Sequence, residues 1–218
     1  DDAYTCDVVA SDGDYQTLSY AYVWTNETTG STLGTGSSLS LSSGTASPAD
    51  VIQCAVTVSD GNTTDSDLDQ LSLDNRTPSS PTVSITPSTA YVSDTLTCTP
   101  SGATDDDDDT LSYSYAWSID GTPSSETSSQ LSSGLYKDAV VQCTVTATDG
   151  TASANGSDSV TILNSGPSFS VDAAITPDTS VTTSTALSCS ATATDPDGGT
   201  MSYAYVWTNN TTSTTLGT

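Results

Sequence analysis

Ser19-Tyr20-Ala21-Tyr22-Val23-Trp24 is written three times in this chain, returning as Ser112-Tyr113-Ser114-Tyr115-Ala116-Trp117 and Ser202-Tyr203-Ala204-Tyr205-Val206-Trp207. Large aromatic residues alternate with small ones, and a period of two belongs to a strand with one buried face. The phase points Leu18, Tyr20, Tyr22 and Trp24 inward, and Ser19, Ala21 and Val23 outward. A cysteine precedes each tryptophan by 18 or 19 residues, at Cys6, Cys98 and Cys189, and another follows the first two, at Cys54 and Cys143. Aligned on cysteine, the period is 92 residues and then 91, the mark of a tandem array of one small β domain.

Working outward from these strands divides the chain into residues 1–77, a repeat without its first strand, residues 78–166, a complete repeat, and residues 167–218, the N-terminal part of a third. On this reading the 218 residues are a window in a longer chain, and Cys189 pairs beyond Thr218. Residues 1–35 and 184–218 match without gaps at 20 of 35 positions, so the first and third repeats are more alike than either is to the second. In the complete repeat the strands fall at Thr82–Thr86, Leu96–Pro100, the tryptophan strand, Val140–Thr148 and Ser159–Leu163. The first repeat has counterparts at Tyr4–Ala10, Val51–Ser59 and Leu68–Leu73, with a further core-facing segment after the tryptophan strand at Ser38–Ser42. The linker Asn75-Arg76-Thr77-Pro78-Ser79-Ser80-Pro81 is short and stiffened by proline.

Composition narrows the functions open to the chain. Serine and threonine make 80 of the 218 residues, and apolar residues sit in short alternating runs between Gly, Asp, Asn and Ser, which reads as all-β. Against 27 acidic residues stand Arg76 and Lys137 alone, with no histidine, for a net charge of −25. Such a surface repels phosphate backbones, which excludes nucleic acid as a partner. It also opposes compaction unless cations screen it, and so points to surroundings rich in salt or calcium. No apolar run approaches the roughly 18 residues of a membrane helix, so no membrane insertion is expected in this segment. Inward-facing cysteines in a Cys…Trp…Cys order read as disulfide-bonded and extracellular or cell-surface. Without histidine, and with one lysine, nucleophile–base pairs and metal triads cannot be assembled in the usual ways, so no enzyme and no organic cofactor are expected.

Cysteine on the second strand, tryptophan on the third and cysteine on the penultimate strand resembles the immunoglobulin sandwich. The resemblance implies tandem immunoglobulin-like β-sandwich domains with an inter-sheet disulfide, pairing Cys6 with Cys54 and Cys98 with Cys143. Closing loops of 48 and 45 residues contributes about 4 kcal/mol each by chain entropy, which matters in a core this thin. The tyrosine-corner position, two before the second cysteine, holds Ile52 and Val141. More closely, Thr192-Ala193-Thr194-Asp195-Pro196-Asp197-Gly198, the Tyr-x-Tyr-x-Trp strand and Val145-Thr146-Ala147-Thr148-Asp149-Gly150 resemble the tandem Ig-like, polycystic-kidney-disease-type and cadherin-like repeats of giant microbial surface proteins. The Gly-Asp-Gly that follows tryptophan in polycystic-kidney-disease-type repeats is replaced by Thr25-Asn26-Glu27 and Ser118-Ile119-Asp120.

Carboxylates are the residues with chemistry to offer. The loop after each second strand holds Asp12 and Asp14, then Asp105, Asp107 and Asp109 within a run of five aspartates, then Asp195 and Asp197. The loop after the penultimate strand adds Asp60 and Asp149. Sandwich connectivity puts both loops at the end where the preceding repeat arrives, so Asp74 and Asn75 are expected to face the Asp105–Asp109 run, and Asn164 to face Asp195 and Asp197. Two readings stand. Ca²⁺ takes six to eight oxygen ligands in flexible geometry, and cadherin-like repeats use it at junctions; alternatively, Asp and Gly simply make good turns on a solvated surface.

Acceptor sequons for N-glycans occur at Asn26, Asn62, Asn75, Asn155, Asn209 and Asn210, with O-linked sugars on the Ser/Thr faces equally open. The expected whole is a structural array in an extracellular filament, stalk or fibre, its partners copies of itself or neighbouring repeats, with glycans. The rivals are an array of adhesin or carbohydrate-binding modules and the accessory region of a secreted enzyme.

Overall fold

A computed structural model describes residues 2–42 and 44–218. By contacts the chain divides into two compact units, one of Asp1–Val83, Pro100–Ser114 and Val145–Gly156, the other of Ser84–Thr99, Tyr115–Thr144 and Ser157–Thr218. The division passes across the strands of the second repeat.

In the first repeat, β1 (Asp2–Thr5), β2 (Ser19–Asn26), β3 (Ser31–Gly34), β4 (Ser38–Leu41), β5 (Val51–Ser59) and β6 (Thr64–Ser72) form two sheets. One is the β1–β4 pair and the other has the order β3-β2-β5-β6, all antiparallel. The second repeat contains β7 (Thr82–Thr86), β8 (Ala90–Tyr91), β9 (Leu96–Ser101), β10 (Ser112–Ile119), β11 (Thr122–Pro123), β12 (Gln130–Leu131), β13 (Val140–Thr148) and β14 (Ser153–Leu163). Its sheets run β12-β9-β7 and β11-β10-β13-β14-β8, with β8 parallel to β14. The third repeat contributes β15 (Ser168–Thr176) paired with β16 (Ser188–Thr194), and β17 (Trp207–Asn209) paired with β18 (Thr214–Gly217). The chain is thus all-β, with immunoglobulin-type sandwiches whose two sheets are joined by disulfides.

Cys6, which directly follows β1, is bonded to Cys54 on β5, and Cys98 on β9 is bonded to Cys143 on β13. Cys189 is a free thiol. Trp24 lies opposite Cys54 across the β2–β5 ladder, in a core with Leu39, Leu41 and Ile52. A buried tryptophan must also satisfy its indole N–H. Trp24 Nε1 donates to the Gly36 carbonyl and Trp117 Nε1 to the Ser128 carbonyl, both at 2.9 Å. One device serves both sandwiches.

Three expectations are corrected. The second strand of the first repeat ends at Thr5, and residues 6–10 are irregular, so Val9 stands in solvent. The inward phase of Tyr20, Tyr22 and Trp24 has the right parity, but burial is graded along the strand. Tyr20, Tyr113 and Tyr203 are 41%, 40% and 42% exposed. In the third repeat residues 202–206 are not a strand, because among the described residues no partner strand takes their backbone hydrogen bonds.

Asn26, two residues beyond Trp24, continues the inward phase and is 1% exposed. Burying an amide demands partners. Its Nδ2 donates to Asp50 at 2.6 Å, and its Oδ1 accepts from the Thr28 and Thr29 amides at 3.0 and 3.1 Å. Asp50 also accepts from the Ser47 amide at 2.9 Å. In the second sandwich the matching ladder positions are Ile119 and Ala139, fixed by the equivalent bonds of Glu27 to Val51 and Asp120 to Val140. A polar pair in one repeat is an apolar pair in the other, and each is self-consistent.

The Ser47 amide, then Asn26, hold the Asp50 carboxyl below the usual carboxylate range. A depressed folded-state pKa gives stability that is present above about pH 4 and lost as pH falls through the folded value. Asp50→Ala strands the Asn26 amide and is expected to destabilise the first sandwich by about 1–3 kcal/mol at neutral pH. The gap to the parent protein should close below about pH 4. Denaturant unfolding followed by tryptophan fluorescence reads both.

Candidate functional site: the acidic loops

One turn recurs in all three repeats. The first aspartate accepts the backbone N–H two residues on: Asp12 from Asp14 at 2.6 Å, Asp105 from Asp107 at 2.8 Å, and Asp195 from Asp197 at 2.8 Å. Its own carbonyl accepts the amide three residues on, at Tyr15, Asp108 and Gly198. Those residues lie in the left-handed region, with φ of 61°, 62° and 75°. Only the third repeat places glycine there, the residue that adopts this conformation without steric cost. The turn therefore follows from the Asp-x-Asp spacing through Asx-type bonding.

The second aspartate of the turn takes the incoming linker. The Arg76 amide donates to Asp107 Oδ2 at 2.7 Å, and the Ser165 amide donates to Asp197 Oδ2 at 2.6 Å. In each case the preceding asparagine folds its amide onto that residue's carbonyl, Asn75 Nδ2 to Arg76 O and Asn164 Nδ2 to Ser165 O, both at 2.6 Å. Asn75 Nδ2 also donates to Asp149 at 3.1 Å. Arg76 adds its guanidinium, 3.4 Å from the Asp106 carbonyl and 3.8 Å from Asp107 Oδ1. Asn75 itself meets Asp149, and it is the Arg76 amide that reaches the acidic run, at Asp107. At the next linker the contact is made by the Ser165 backbone. Asp74 is exposed and lies along a cleft below the first sandwich, outside the carboxylate cluster.

Asp105, Asp107 and Asp109 each bring a carboxylate oxygen within 4.8 Å of the others. Desolvation, then the charges of Asp105, Asp107 and Asp149, push the Asp109 carboxyl above its ordinary range. Asp149 is held low by the Ala152 amide, Asn75 and the Thr151 amide. In the first repeat Asp60 is held low by the equivalent Thr63 and Asn62 amides. Asp105 Oδ2 and Asp197 Oδ1 are buried with no hydrogen-bond partner. Counting along the shared turn, the place of Asp109 is taken by Gln16 in the first repeat and Gly199 in the third. Asp105, Asp107 and Asp109, with Asp149 beside them, are therefore the fullest set for a hard cation. Asp12, Asp14 and Asp60, and the pair Asp195 and Asp197, offer fewer carboxylates.

The sequons separate by geometry. Asn62, Asn155, Asn209 and Asn210 are exposed. Asn26 is buried with its amide on Asp50, and the Asn75 amide is committed to Arg76 and Asp149, so neither is displayed in the folded chain. The Arg76 and Ser165 amides were invisible to a reading of side chains; the asparagine before each was the available signal.

No family model and no curated protein sequence matches this chain. Among solved structures, the amphioxus IgVJ-C2 molecule aligns over 74% of this chain and 95% of its own, with 13% identity and a TM-score of 0.38.

Asp107→Ala removes the acceptor of the Arg76 amide and one partner of its guanidinium. Limited proteolysis between residues 75 and 81 is expected to accelerate about tenfold. Asp14→Ala, at the equivalent position of the first repeat, should leave that rate unchanged.

Proposed function

We propose that the chain is a structural array of extracellular immunoglobulin-like domains whose junctions are set by the Asp-x-Asp turns and tightened by Ca²⁺. One observation carries this reading: at two successive linkers a backbone amide sits on the second aspartate of the same turn, Arg76 on Asp107 and Ser165 on Asp197. A repeated contact of backbone with side chain fixes where the next domain begins whatever residues the linker carries. That suits a spacer. Inter-sheet disulfides limit how far each domain can be extended, and they belong to oxidising surroundings. No helix among the described residues is long and apolar enough to cross a membrane.

Ca²⁺ completes the reading physically. Three carboxylates with oxygens within 4.8 Å, and a fourth close enough to shift one of them, repel one another strongly at neutral pH. A divalent cation would be held by Asp105, Asp107 and Asp109, with Asp149 adjacent, and would offset that repulsion. The orphaned Asp105 Oδ2 is an acceptor that such an ion would use. The proposed role is mechanical, and no reacting group is assigned.

Thermal unfolding of the 218-residue chain in Ca²⁺ and in EDTA tests the ion. Ca²⁺ is expected to raise the melting temperature, and Asp109→Asn with Asp105→Asn to remove most of that rise while increasing stability in EDTA. An identical melting curve in Ca²⁺ and EDTA would show the loops to be solvated turns.

A further inference from the structure

Charge is divided between the two faces of the larger sheet of the first sandwich. Trp24, Cys54 and Asp69 lie in line across β2, β5 and β6 on the inward face, and Val23, Ala55 and Leu68 lie in line on the outward one. The outward positions are therefore the odd-numbered residues 19–25 and 51–59 and the even-numbered residues 64–72. None of them is charged, in a chain with 27 acidic residues. Asp65, Asp67 and Asp69 all fall on the inward face, opposite Val58, Val56 and Cys54. Carboxylates resume at outward positions only past the strand ends, at Glu27 and Asp74.

The outward face is flat and ordered in rows. Across its middle runs the apolar row, in which Val23 is 40% and Leu68 57% exposed. On one side of it Thr57 and Ser66 share a hydroxyl hydrogen bond of 3.0 Å, and on the other Gln70 Nε2 donates to Gln53 Oε1 at 2.9 Å. Side chains already bonded to one another lose little further freedom on docking. The face is open in the second repeat too. There β7 extends the opposite sheet and β8 joins the edge of β14, so the opening strands of a repeat leave the outward positions Ser114, Ala116, Gln142, Asn155 and Ser157 exposed.

We propose that the outward face of β2, β5 and β6 docks the same face of a second copy of this chain, sheet against sheet about a two-fold axis. Charge selects the occupant: here two chains of net charge −25 meet without opposing carboxylates. The face holds no aromatic ring and no cation, so it offers neither a stacking platform for sugars nor a counter-charge for an acidic partner. A two-fold axis brings the apolar row onto itself, and Gln53 Nε2 and Gln70 Oε1, unused in their mutual bond, give each copy a donor and an acceptor for the other. Three strands of this length cover about 400 Å² per partner, near half of a standard interface, so the dimer is weak and reversible. The matching face of the second repeat carries the acceptor Asn155, and a sugar there would hold a partner off. Asn62 lies in the turn between β5 and β6, outside the ladder. The association goes beyond the junctions proposed above and needs no cation.

The test is sedimentation velocity of the 218-residue chain, alkylated at Cys189 and kept in EDTA, from about 1 µM to 1 mM. A reversible monomer–dimer equilibrium is expected, tightening as NaCl rises from about 0.05 to 0.5 M and screens the net charge. Leu68→Asp should weaken the dimer at least about tenfold by burying a charge in it. Gln70→Glu, which keeps the shape and adds only charge at an exposed position, should weaken it in low salt and less in high salt. Thr161→Asp, on the matching face of the second repeat, should change nothing. A chain that stays monomeric throughout would overturn the proposal. So would a dimer indifferent to Leu68→Asp and Gln70→Glu, or one weakened equally by Thr161→Asp.

Discussion

Both sandwiches are built around a disulfide and a tryptophan buried between their two sheets. In the first sandwich Trp24 faces Cys54 across one ladder, Cys6 ties that ladder to the opposite sheet, and Leu39, Leu41 and Ile52 are buried with them, flanked by half-buried residues such as Leu33 and Leu73. A chain with more than a third of its residues Ser or Thr cannot hold two sheets together by apolar area alone. Cross-linking removes unfolded-state entropy in its place. The indole N–H bonds of Trp24 and Trp117 then fix where the connecting hairpins cross, which leaves the loops at the ends free to vary.

That economy explains where the polar chemistry accumulates. Along β2 burial is deepest from Trp24 to Asn26 and falls away toward Tyr20, so the first sandwich is closed at one end and open at the other. Its Asp-x-Asp turn leads into the open end. All three such turns are ordered by their own backbone bonds, so they hold shape without a core beneath them. The linker amides then add bonds that a thin core could not supply through packing.

The core strands and the recurrence of the aspartate loops were legible in the sequence from alternation and spacing, whereas the disulfide partners were legible through the resemblance to the immunoglobulin sandwich. Val51–Ser59 and Val140–Thr148 were legible to the residue, being apolar on one face throughout and bounded by turn residues. Asn26 was legible only as a sequon. Its burial depends on Asp50, which lies 24 residues away and comes opposite only once β2 and β5 are in register. The Tyr4–Ala10 strand was overextended because its alternation of residue types continues past the point where β4 ends and leaves it without a partner. The gathering of Asp105, Asp107 and Asp109 could be expected from their spacing, whereas the amides of Arg76 and Ser165 carry no mark in the one-letter code.

The contact between linker and turn is most directly tested by amide hydrogen exchange at Arg76 and Ser165 in the 218-residue chain. Both amides should be protected relative to their linker neighbours. Asp107→Ala should release Arg76 alone and Asp197→Ala should release Ser165 alone. Exchange of both amides at the rate of an unstructured peptide in the parent protein would contradict the account, since the linkers would then not be seated on the turns.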